Sequence, residues 1–110
     1  MSEAGAALIW CPFGDEASAR EVAETLLSER LIACANILPH VMAVFHWEGA
    51  VQSGQEVGVL FKTTHACLEK AVARLEQLHT YDTPAIMGWP VDAAPPATLG
   101  WLADQIRGGE

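Results

Sequence analysis

A chain of 110 residues with a formal charge of −8 has room for one compact domain (1–110) and no basic cluster to neutralise phosphates, so neither nucleic acid nor an anionic membrane surface is an expected partner. Hydrophobic residues make up 51% and charged residues only 18%; a chain of this size buries about 65% of its unfolded surface by itself, and the apolar surplus points to surface covered by another subunit. No run reaches the roughly 20 apolar residues of a membrane span, the acidic start MSEAGAALIW lacks the basic region of a signal peptide, and Cys11, Cys34 and Cys67, odd in number and not closely paired, fit reduced thiols in the cytoplasm.

The first element is the apolar run AALIWCPF, read as a buried strand and closed by Pro12 and Gly14. Asp15 then caps an amphipathic helix over 15–30, with Ala19, Val22, Ala23, Leu26 and Leu27 at helical spacing and Glu16 and Glu21 near its positive end. LIACANILP and VMAVFHWEG follow as extended segments, with Pro39 marking a bulge or an edge. In the second of these Val41, Ala43, Phe45 and Trp47 share one face and Met42, Val44 and His46 the other. Neither face is polar, so both expect cover. EGAVQSGQ reads as a turn-rich connection, and EVGVLFKTT as the returning strand of a long hairpin, with Val57, Val59 and Phe61 facing one way. Leu68, Val72, Leu75 and Leu78 mark a second helix for which Thr64 is a candidate N-cap. PAIMGWPV is a fourth strand; Pro95 and Pro96 open a last helix with Leu99, Leu102 and Ile106 on one stripe, stopped by Gly108. The order β-α-β-β-α-β with an added C-terminal helix is that of an α+β, ferredoxin-like sandwich.

Residue chemistry alone establishes no reaction: a Gly-rich phosphate loop, a nucleophile elbow and paired catalytic carboxylates are all missing. Cys11 lies at the end of the first strand, just before a helix N-terminus, where the dipole favours a thiolate able to ligate metal or attack as a nucleophile; an inert core thiol is the commoner case. Cys34 and Cys67 read as packing residues, and His40, His46 and His65 as solvated or singly bonded, since no structural-zinc spacing links them. His79, in LHTYDTPA, is either a last-turn histidine facing the helix dipole or a metal ligand or proton carrier, with Tyr81 and Asp82 beside it and Asp82 as an orienting carboxylate. Lys62 ends a strand, and Trp47–Glu48–Gly49 reads as strand end plus turn.

Taken together, ERLIACANILP, FHWEGAVQSGQEVGVLFKTT and LEQLHTYDTPAIMGWPV resemble, in order and spacing from Leu8 to Ile106, the strings of the CutA family of divalent-cation tolerance proteins. The resemblance implies a ferredoxin-like subunit in a homotrimer whose hairpins pair between subunits, and a role in tolerance or homeostasis of divalent cations, with Cu2+ or another divalent transition metal as ligand and no cofactor needed for folding. It implies Cys11 and His79 as metal ligands, with Tyr81 and Asp82 supporting them. Leu78 stands where some members carry a further histidine, Thr80 replaces the proline of the family's His-Pro-Tyr, and Ala85 replaces its acidic residue. A binding protein, not an enzyme, is the expectation. A PII-like signalling trimer holding a small effector in an inter-subunit cleft lined by Trp47, Lys62 and Tyr81 is the alternative, resting on fold analogy; a Cys11 nucleophile with a His79 base is a third reading.

Overall fold

The computed structural model describes residues 5–107. Strand β1 (Ala6–Phe13) leads into helix α1 (Glu16–Ser28); strands β2 (Cys34–Trp47) and β3 (Ala50–Thr64) form the hairpin; a short 3-10 turn (His65–Cys67) opens α2 (Leu68–Leu78), and β4 (Met87–Pro90) and α3 (Pro96–Arg107) complete the order. The sheet runs β2–β3–β1–β4 with every neighbouring pair antiparallel. This is the expected ferredoxin-like arrangement.

Alternation along β1 and β3 explains why one sheet face is core. Ile9, Cys11 and Phe13 meet Phe61, Val59 and Val57 across the ladder, and α1 and α2 close over them with Ala19, Val22, Ala23, Leu26, Ala71 and Leu75. The Asp15 carboxylate caps α1 by accepting the Ser18 amide at 2.7 Å. At the other end Arg30, at φ +61°, takes the left-handed position usually given to glycine, and the Arg30 and Leu31 amides bond back to the Leu27 and Leu26 carbonyls.

The opposite sheet face is covered only in part. Leu102 of α3 packs on Ala6 and Ala33 at one end, whereas Leu38, Met87 and Trp89 stay exposed. Beyond the register shift at Pro39–His40, where His40 has φ +65°, the hairpin continues as a two-stranded arm pairing Val41–Trp47 with Ala50–Glu56. Pro39 therefore marks both a bulge and an edge strand. The arm corrects the expectation that 48–55 is a turn-rich connection: Glu48 and Gly49, both at positive φ, make the whole turn, and the strand resumes at Ala50. Two further boundaries move. Thr64 caps the 3-10 turn, not α2 itself, and the fourth strand begins at Met87 because Pro84 has no amide to donate and its carbonyl accepts the Ile86 amide. Gly108 lies outside the described residues.

Candidate functional site

Strand β1 and the exit of α2 bring Cys11 and His79 to one backbone oxygen. The Cys11 thiol donates weakly to the Pro12 carbonyl at 3.5 Å, and His79 Nε2 lies 2.8 Å from the same oxygen. The tyrosine two residues on follows from this: its amide donates to His79 Nδ1 at 3.1 Å, and its hydroxyl reaches Glu56 on β3 at 3.5 Å. The imidazole is packed as well as bonded, stacked on Phe13 with centroids 4.3 Å apart and tilted against Tyr81 at 4.7 Å.

Burial sets the electrostatics. Cys11 is fully enclosed, and desolvation first, then the Glu56 carboxylate, pushes its thiol up from 9.0 to about 12. That reverses the helix-dipole expectation, because the side chain points into the core and not toward the α1 N-terminus. The Tyr81 hydroxyl is raised too, through burial, Glu56 and, more weakly, Cys11 and Asp15.

The pair does not fit a transition-metal ion in the folded subunit. A cysteine ligates as thiolate, so an ion at Cys11 would have to displace a proton that burial holds; a histidine ligates through a free nitrogen lone pair, and both nitrogens of this ring are engaged by backbone groups. Asp82 has no place on the ring, since the backbone, not a carboxylate, orients it. Among the described residues no three histidine, cysteine, aspartate or glutamate side chains gather closely enough to share an ion. Sequence reasoning passed over Glu56, Phe13 and the Pro12 carbonyl. The enclosure of His79 had a signal: it continues, one residue past the end of α2, the four-residue spacing of Ala71 and Leu75 on the core stripe.

The family model described as "CutA1 divalent ion tolerance protein" matches residues 7–105. The chain belongs to the CutA1 family. A curated relative from Pyrococcus horikoshii, the divalent-cation tolerance protein CutA, is 40% identical over 100 residues, covering 91% of this chain and 97% of its own. The crystal structure of the divalent ion tolerance protein CutA1 from Ehrlichia chaffeensis matches with a TM-score of 0.89 at 28% identity, over 93% of this chain and 95% of that one. A CutA from Archaeoglobus fulgidus, described as periplasmic, matches at 0.86 and 26% identity, over 92% and 98% of the two chains. Among the described residues no helix is long and apolar enough to cross a membrane.

In this CutA1 chain the residues weighed for a cleft between subunits stand apart within the single subunit. Trp47 sits at the tip of the arm opposite Ala50, and Lys62 pairs with Leu8 and Cys34 in the body of the sheet. The twelve residue steps along β3 from Ala50 to Lys62 span roughly 40 Å at about 3.3 Å each. Tyr81 stands apart from both, on Glu56. Cys34 and Cys67 are partly exposed, His40 and His46 exposed and His65 half-buried.

Proposed function

We propose that the chain works as a cytoplasmic homotrimer that binds divalent transition-metal cations such as copper and so contributes to divalent-cation tolerance, as a binding protein and not an enzyme. The observation that carries this reading is the family match over residues 7–105, together with relatives whose names state tolerance of divalent cations. Assembly is supported by apolar surface on two sides of the subunit: Met42 at 76%, Val44 at 69% and Val51 at 66% exposed on the arm, and Met87 at 67% on the sheet. Three free thiols support a reducing compartment; fractionation of cells for this chain decides between cytoplasm and the periplasmic location named for the Archaeoglobus relative.

Calorimetric titration of Cu2+ into the purified protein tests the cation reading. Saturable binding is the expected result, and an absence of binding heat across the titration removes it.

A further inference from the structure

Of the four histidines in the chain, His79 is the one that the fold encloses, at 8% exposure. Its hydrogen-bond partners leave no choice of tautomer. The Pro12 carbonyl only accepts, so Nε2, 2.8 Å away, carries the proton and donates it. The Tyr81 amide only donates, so Nδ1, at 3.1 Å, is the acceptor. An ion at Nδ1 would displace the Tyr81 amide, and an ion at Nε2 would break the tie to β1. Phe13, stacked at 19° to the imidazole, keeps the ring from turning to free either atom.

We propose that His79 is a positioning residue, a bolt in its Nε2–H form that joins the exit of α2 to the end of β1 and holds Tyr81 against Glu56, and that any transition-metal ion this protein binds is held without it. The bolt sets where the phenol stands. The Tyr81 hydroxyl meets Glu56, and its ring lies so close to Gly14 that a Cβ there would come within 3.3 Å of the hydroxyl oxygen. The end of β1, β3 and the α2 exit thus converge on the side chain next to the ring, and the ring accepts the hydrogen bond of its backbone amide. The inference rests on the ring's own bonds and stands apart from the cation reading above.

Long-range 1H–15N spectra of the four histidine rings in the 15N-labelled full chain test it. Without metal, His79 is expected to show a single Nε2–H tautomer, and the Tyr81 amide to be protected from exchange. His79→Ala should speed that exchange roughly tenfold, the loss of one ordinary hydrogen bond. His79→Asn, whose side-chain oxygen accepts where Nδ1 did, should restore most of the protection. Added Zn2+ should leave the His79 ring signals of the wild-type chain in place, whether or not those of His40, His46 or His65 move. An Nδ1–H or mixed tautomer in the metal-free protein, or a zinc-induced shift of the His79 ring nitrogens, overturns the proposal. Failure of any metal to bind would count against the cation reading alone, because the metal-free spectra decide the bolt on their own.

Discussion

Cys11 shows how one buried atom converts position into pH dependence. Its folded-state thiol holds the proton up to about 12, against 9.0 ordinarily. The sign follows from linkage: between these values the unfolded chain has lost the proton and the folded chain keeps it, so stability is full below about 9 and falls as pH rises toward about 12. Denaturant midpoints are expected to fall across that window, and Cys11→Ala to flatten part of the fall; Tyr81, also raised, acts in the same direction and remains. In a chain whose only cysteine is Cys11, a thiol reagent should react on unfolding and not before. Gly58 makes a second prediction at this scale. A Cβ there would overlap the Trp10 ring and lie 3.1 Å from Val41 Cγ2, so Gly58→Ala should cost about 1–3 kcal/mol in urea unfolding, partly recovered by Trp10→Leu. The sequence marks Cys11 and His79 as residues of interest but not their state. Strand alternation already turns Cys11 inward with Ile9 and Phe13, yet the partners of His79 are a carbonyl 67 residues earlier and an amide whose direction only the loop geometry sets.

At the scale of elements, local chemistry was legible wherever a residue acts within its own turn. Asp15 caps α1 as expected, and Asp15→Ala should lower stability by about 1 kcal/mol, with Asp15→Asn close to neutral; thermal unfolding reads the difference. Leu75, fully enclosed between α2 and the sheet, should cost about 2–5 kcal/mol on replacement by alanine. The arm is the counter-example. Residues Gln52, Ser53, Gly54 and Gln55 have the composition of a loop, but their register against Met42–Phe45 makes them strand. Pairing with a partner strand outweighs their intrinsic preference, and the two-residue turn at Glu48–Gly49 sets that register. The end of α1 was hidden for a related reason: Arg30 occupies a glycine position, and its guanidinium donates to the Gln105 carbonyl of α3 at 2.9 Å, a contact 75 residues away.

The subunit measures 48 × 26 × 22 Å over its described residues, an elongated shape. A flat arm whose two faces both carry apolar side chains has no core of its own, and the proposed trimer would supply one. Replacing Val44 and Val51, both exposed and on the same arm face, with lysine should leave the subunit core intact and shift sedimentation from trimer toward monomer. An unchanged trimer in that double variant would place the contacts elsewhere. Periodicity and capping, which act over a few residues, were enough to determine the order of elements, the shared face of Val57, Val59 and Phe61 and the start of α1. Tertiary structure decided what depends on distant partners: that the arm is paired strand, that Trp47 and Lys62 stand far apart, and that Cys11 and His79 are closed off by burial and by backbone hydrogen bonds. Such long-range contacts form only when the chain has folded, and no local pattern of residues encodes which lone pairs will be left free.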